Sequence, residues 1–244
     1  MIRAALIGNP NVGKTEIFNR LTGLSQNVGN FPGVTVEKKA GRLVHKGQQI
    51  ELVDLPGTYS LTAHAVDELV ARDYIVIERP DVIVDIVDGS NLERNLYLTM
   101  LLLEMDANLV IALNRWDMVA ARGMRIDVEK LSRLLGCPVV PTVAIAGEGL
   151  EELKDSIVDV AGQKRAEGPK SVINYGDDIE QLINKVEEVI KECTALNGKY
   201  PRRWLAIKML EGDERVMEQT RADLQSSQLT KILCIIEAGE AAIK

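Results

Sequence analysis

The stretch Gly8-Asn9-Pro10-Asn11-Val12-Gly13-Lys14-Thr15 decides the fold of this 244-residue chain. It follows the apolar run Ile2 to Ile7, which reads as a buried strand, and it opens a segment with helical spacing of apolar residues. Glycine at either end lets the backbone wrap its N–H groups around phosphate oxygens, and the helix start adds the positive end of its dipole. Lys14 would reach the β- and γ-phosphates of a nucleotide, and Thr15 would offer its hydroxyl to Mg²⁺.

Working outward, two more polar signatures stand at the ends of apolar runs. Asp54-Leu55-Pro56-Gly57 follows Ile50 to Val53. A carboxylate at a strand end beside a glycine can hold Mg²⁺ through water, while the Gly57 N–H senses a γ-phosphate. Asn114-Arg115-Trp116-Asp117 ends the run Leu109 to Leu113. The Asp117 carboxylate can accept hydrogen bonds from guanine N1–H and its 2-amino group, which adenine does not offer, and burial of an unpaired carboxylate would penalise the wrong base. The helical segments between these runs make βα units. Strands are expected near 2–7, 38–45, 49–54, 81–88, 108–114 and 138–143, with a hairpin at Lys46-Gly47, and helices near 14–23, 66–78, 92–105, 127–135 and 149–161. The fold class is therefore α/β, a mostly parallel six-stranded sheet with helices on both faces.

After residue 165 the pattern changes. Residues 166–169, with Gly168-Pro169, read as a linker, and from 170 to 244 apolar residues recur only at helical spacing: Ile179, Leu182, Ile183, Val186, Ile190, then Leu229, Ile232, Leu233, Ile236. This is a small all-helical C-terminal domain following a nucleotide-binding domain at 1–165. It holds 11 basic against 13 acidic residues, and the whole chain has a net charge of -7, which argues against nucleic acid or anionic lipid as a general partner. No uncharged stretch approaches the roughly 18 residues of a membrane span, and no targeting segment opens the chain. Cys137, Cys193 and Cys234 lack metal-site spacing and suit a reducing cytoplasm as three structural thiols. His45 and His64 stand alone.

The ordered set of phosphate loop, D-x-x-G and N-x-x-D, each at a strand end, resembles the translation-factor-related small GTPases, of Ras-like fold. Together with Asn19-Arg20-Leu21-Thr22-Gly23, Asn30-Phe31-Pro32-Gly33-Val34-Thr35, Asp54 to Leu61 and the helical segment Tyr200 to Glu214, it is similar to the cytosolic N-terminal region of the bacterial ferrous-iron transporter family FeoB. The resemblance implies that Thr35 is a first-switch residue closing on Mg²⁺ and γ-phosphate, within a loop from Ser25 to Gly33 that orders and disorders. It also implies that Thr142-Val143-Ala144 senses the base, with the Ala144 N–H on guanine O6. Mg²⁺ would be held by Thr15, Thr35 and Asp54. Asn11 would hold a K⁺ against the phosphates, its bland alternative being a loop-stabilising asparagine. Partners would be GTP and GDP, a membrane-spanning region of the same transporter and, as a candidate, a second copy of the chain. The location would be the cytoplasmic face of the inner membrane.

Departures from the family pattern carry expectations too. Thr58 follows Gly57 where many signalling GTPases place a water-orienting glutamine, so intrinsic hydrolysis should be slow. Arg115 stands for the usual lysine and can lie along the purine. Val143 replaces a serine whose hydroxyl steadies the base loop, which points to fast GDP release. Glu16 places negative charge near the α-phosphate. Asp67 and Glu68 read as a solvated helix start, Met100, Met105 and Met209 as core, and Trp204 as a packing anchor. Two other functions compete with a hydrolytic switch: a regulatory module whose occupancy controls a transporter, and an RNA- or ribosome-associated GTPase.

Overall fold

The computed structural model describes residues 1–23, 26–62, 65–163 and 173–243. They form two compact units, Met1–Leu103 with Ala107–Val172, and Glu104–Asp106 with Ile173–Lys244. The expected linker 166–169 and His64 lie outside the described residues, as does Ser25.

The first unit is built on β1 (Ile2–Gly8), β2 (Gln26–Asn30), β3 (Glu37–His45), β4 (Gln48–Asp54), β5 (Val82–Asp88), β6 (Leu109–Asn114) and β7 (Val139–Pro141). They form one sheet in the order β2-β3-β4-β1-β5-β6-β7, parallel from β4 to β7 and antiparallel across β2, β3 and β4. Seven strands therefore replace the six expected. The extra one, Gln-Asn-Val-Gly-Asn, lies in the stretch read as a loop. Four of its five residues are exposed, so no apolar alternation betrays it, and a backbone ladder to β3 from Gln26↔Gly41 to Asn30↔Glu37 holds it as an edge strand.

Buried strand residues alternate between two helical layers. Ala4, Leu6, Ile50, Leu52, Val82, Val84, Ile86, Val110 and Ala112 meet Ile17, Phe18 and Leu21 of α1 (Lys14–Thr22) and Leu150, Leu153, Ile157 and Val160 of α6 (Leu150–Gly162). On the opposite face, the Thr99 hydroxyl of α3 (Leu92–Glu104) donates to Asp85 of β5 at 2.6 Å. The helix expected over 66–78 is α2 (Val66–Asp73) followed by one turn of π-helix, Tyr74–Glu78. A short α4 (Trp116–Ala121), absent from the sequence reading, precedes α5 (Val128–Leu135). Six residues are too few to show a helical apolar period.

The second unit is all-helical: α7 (Asp177–Lys191), α8 (Arg202–Leu210), α9 (Glu214–Arg221) and α10 (Ser226–Ile243). Ile183, Val186, Ile190, Leu205, Met209 and Ile232 are buried there. Trp204 is a packing anchor, buried and stacked on Tyr200 with ring centroids 6.2 Å apart. Arg203 forks onto Glu180 with two hydrogen bonds of 2.7 Å and holds that carboxyl below its ordinary range. Among the described residues no helix is long and apolar enough to cross a membrane. Cys137 and Cys193 are buried, but Cys234 is exposed on α10, so the reading of three structural thiols fails for it.

Candidate functional site

The three polar signatures emerge side by side, because β4, β1 and β5 to β7 run parallel and end on one edge. The phosphate loop turns sharply out of β1. Asn11 and Gly13 take left-handed backbone, φ 66° and 96°, and a Cβ at Gly13 would lie 2.4 Å from Asn114 Nδ2. At Gly8 a Cβ would meet the Ile86 carbonyl at 2.6 Å. Only glycine fits between these neighbours.

Asp54, at the end of β4, is 8% exposed, and its carboxylate accepts a hydrogen bond from Lys14 Nζ at the start of α1. A carboxylate and an ammonium are thus presented together at the mouth of the loop. The Thr15 hydroxyl on α1 adds a second hard oxygen donor of the type Mg²⁺ prefers, so this donor set fits that ion beside phosphate oxygens. Thr35 is exposed in the turn between β2 and β3, where Phe31 N–H donates to the Val36 carbonyl at 2.9 Å. The loop after Asp54 is docked on the phosphate loop: Leu55 N–H donates to Leu6 O at 2.9 Å and Thr58 N–H to Gly8 O at 3.2 Å. Gly57 sits against Pro10, where an added Cβ would be 3.5 Å from its Cα. The Thr58 hydroxyl is turned to the Ser60 carbonyl at 2.7 Å. Glu68 is not merely solvated: its carboxylate accepts from Ser60 Oγ at 2.7 Å and Thr62 Oγ1 at 3.3 Å, tying this loop to α2.

At the third signature, Asn114 works as a clamp. Its Nδ2 donates to Val12 O at 2.7 Å, while its Oδ1 accepts from Ala144 N at 3.0 Å and Thr142 Oγ1 at 3.3 Å. The Ala144 N–H, expected to face guanine O6, is thus engaged by Asn114, because the clamp draws the base loop toward β6. A base oxygen would share that donor or take it over. Arg115 adopts φ 59°, donates from Nη1 to Asp88 at 2.9 Å and from Nη2 to the Asn11 carbonyl. Its head therefore braces the phosphate loop. Asp117 is exposed at the start of α4, so it becomes a buried discriminating carboxylate only when a base covers it. Val143 is buried, and its own ties within the loop are backbone bonds: Val143 N–H donates to Glu148 O at 3.1 Å, and Gly147 N–H to Val143 O at 2.9 Å. Glu16 is spoken for by Arg20 at 2.6 Å, whose Nη2 also reaches the Ile145 carbonyl at 2.5 Å, linking α1 to the base loop.

One site carboxylate, one long-range tie and one buried carboxyl outside the site escaped the sequence reading. Asp88 had a usable signal, a carboxylate at the end of a buried strand before glycine, like Asp54. The tie from Arg20 to the Ile145 carbonyl had none, since those residues lie 125 positions apart. Asp85 is 1% exposed within β5, and burial pushes its carboxyl up to about 7 despite the Thr99 hydroxyl.

Comparison with known proteins shows the family to which this fold belongs. The family described as ferrous iron transport protein B matches residues 2–157, and the FeoB cytosolic helical domain matches residues 175–244. The Fe(2+) transport protein A/Fe(2+) transporter FeoB fusion protein of Porphyromonas gingivalis is 47% identical over 218 residues, covering 88% of this chain and 26% of that protein. Fe(2+) transporter FeoB of Escherichia coli K12 is 44% identical over 212 residues, covering 85% and 26%. The chain therefore spans about a quarter of the length of these relatives. Among solved structures, an S. thermophilus NFeoB N11A mutant bound to mGDP superposes with a TM-score of 0.87 at 40% identity, covering all of this chain and 90% of that one. The cytosolic domain of the T. maritima FeoB iron transporter in apo form gives 0.83 at 39%, covering 98% and 94%. A mixed sheet of Ras-like type carrying the phosphate loop, joined to an all-helical domain that matches in its own right, identifies this chain as a member of the FeoB family of ferrous iron transport proteins.

Proposed function

We propose that this chain binds GTP and GDP with Mg²⁺ and hydrolyses GTP, and that it does so as the cytosolic part of a ferrous iron transporter at the bacterial inner membrane. Residues 1–165 would be the nucleotide-binding domain and 170–244 the helical spacer. The observation that carries the reading is the Asn114 clamp, which joins the phosphate loop at Val12 to the base loop at Ala144 and gathers both ends of one nucleotide site.

In this reading the N–H groups of Gly8 to Thr15 cradle the phosphates, and Lys14 exchanges the Asp54 carboxylate for β- and γ-phosphate oxygens. Asp54, released from Lys14, joins Thr15 and Thr35 as a metal donor, and Glu16 stays on Arg20 at the α-phosphate end. The bound Mg²⁺ supplies charge that stabilises the leaving diphosphate. Asp117 reads the guanine edge and Arg115 covers the purine with its aliphatic stem. Water attacks the γ-phosphorus, the bond to the β–γ bridging oxygen breaks, and GDP and inorganic phosphate result. The Thr58 hydroxyl, turned to Ser60, does not orient that water, which supports slow intrinsic hydrolysis.

Asn11 presents an exposed side chain while its carbonyl is held by Arg115, which suits a K⁺ ligand beside the phosphates. Turnover should be faster in KCl than in NaCl, and Asn11→Ala should erase the difference; equal wild-type rates in both salts remove this role. The central claim is tested by titrating the chain with GTP, GDP and ATP, and repeating this for Asp117→Asn. Guanine nucleotides should bind tightly and ATP weakly, with discrimination lost in the variant; tight ATP binding overturns the reading.

A further inference from the structure

A cleft of about 170 Å³ opens against the phosphate loop on the side of α3, whereas α1, whose N-terminus serves the nucleotide phosphates, packs on the other face of the sheet. Asn9 and Asn11 of the loop, Tyr59, Asp88, Arg94 and Arg115 line it. Asn9 is 4% exposed, and among the described residues its Oδ1 has no hydrogen-bond partner, an oxygen that burial makes costly unless something donates to it.

The charges select the class of ligand. Asp88 is already neutralised, by Arg115 Nη1 at 2.9 Å and by the Ser90 N–H and hydroxyl at 2.9 and 2.7 Å. Arg94 lies with its guanidinium 4.6 Å from the Tyr59 ring centroid, and among the described residues its N–H groups meet no acceptor. A guanidinium whose N–H groups meet no acceptor attracts a small oxyanion. The orphaned Asn9 Oδ1 adds a second condition: the anion must bring its own O–H. Inorganic phosphate near neutrality keeps at least one proton, and sulfate keeps none.

Position gives that anion a source. Tyr59 stands two residues beyond Gly57, which packs on Pro10 where the γ-phosphate would lie, so the cleft adjoins the point at which a cleaved phosphate departs. We propose that this cleft is a staging site for the inorganic phosphate product, with Arg94 taking its charged oxygens and Asn9 its hydroxyl, an assignment that rests on the hydrolytic reading above. Rotation of Arg94 off Tyr59 admits the phosphate, and its loss to solvent lets the loop carrying Tyr59 settle back.

The test is phosphate binding, followed by ³¹P NMR, to the chain loaded with the non-hydrolysable analogue GMPPNP, whose own γ-phosphate blocks the nucleotide position. Phosphate should bind, sulfate should compete poorly, and Arg94→Gln should weaken binding by at least about tenfold while Arg94→Lys retains part of it. GDP affinity should be equal in all three proteins, which shows the fold intact. Absence of phosphate binding, equal competition by sulfate, or indifference to Arg94→Gln overturns the site. GTP turnover measured alongside separates the two readings: a chain that hydrolyses GTP and takes up no phosphate overturns the cleft assignment alone.

Discussion

Replacing Asp85 by asparagine should change how stability depends on pH, in the direction that its burial sets. The carboxyl lies inside β5, 1% exposed, between β1 and β6, and one bond from Thr99 Oγ1 does not offset its desolvation, so its folded pKa is about 7 against 3.8 for the free group. Below pH 3.8 both states are protonated and the residue costs nothing by linkage. Between 3.8 and about 7 the unfolded chain has lost its proton while the folded chain keeps it, so stability falls as pH rises, by up to about 1.4 kcal/mol per unit. Above that window the full cost, about 4 kcal/mol, is present. Asparagine keeps the shape and an oxygen for Thr99 and does not titrate. Urea unfolding read by hydrogen exchange of β5 peptides, which reports on the sheet-bearing unit alone, gives the assay. From pH 5 to pH 8 the wild type should lose about 3 kcal/mol relative to Asp85→Asn. A difference between the two proteins that stays the same at both pH values refutes the idea that burial holds this proton.

The remaining predictions concern the loops. Gly13→Ala places a methyl group 2.4 Å from Asn114 Nδ2 at a backbone φ of 96°, so it should break the clamp and lower GDP affinity more than tenfold, read by fluorescence of a labelled nucleotide. Val143→Ser offers the base loop a hydroxyl bond of about 1 kcal/mol and should slow GDP release several-fold in stopped flow, whereas Arg20→Ala removes the tie to the Ile145 carbonyl and should speed it by a similar factor. Unchanged release in both would show that this loop does not control dissociation.

The candidate site was legible because each group proposed to face phosphate or base is encoded by residue type at short range. Gly8 to Thr15, Asp54 to Gly57 and Asn114 to Asp117 each fit within eight residues and each follow an apolar run. What the sequence does not reveal is how those groups hold one another. Asn114 to Val12, Arg115 to Asn11 and Arg20 to Ile145 join residues 102, 104 and 125 positions apart, and no local pattern records that adjacency. The edge strand β2 escaped for a different reason. Its residues are polar and exposed, and only its ladder to β3 makes it a strand. Where a segment's structure comes from its neighbour's backbone rather than from its own burial, hydropathy is silent.

Those long-range ties bear on how a switch would run in this fold. Asn114 spends one side of its amide on the phosphate loop and the other on the base loop, and Arg115, the next residue, spends its head on the phosphate loop and on Asp88. Both rise from the end of β6, a strand buried at every position, so their backbone cannot shift without disturbing the core. The proposed guanine end of the site is in this way joined to the floor of the proposed phosphate end. The opposite wall is lightly held: Thr35 sits in an exposed turn off an edge strand, and the loop after Gly57 rests on single backbone bonds and on Glu68. Loss of a γ-phosphate would therefore be felt by the wall of Thr35, Gly57 and Tyr59 and not by the floor. In the proposed cycle, base recognition would persist through hydrolysis while that wall changes, so that one bound guanine would report two phosphate states.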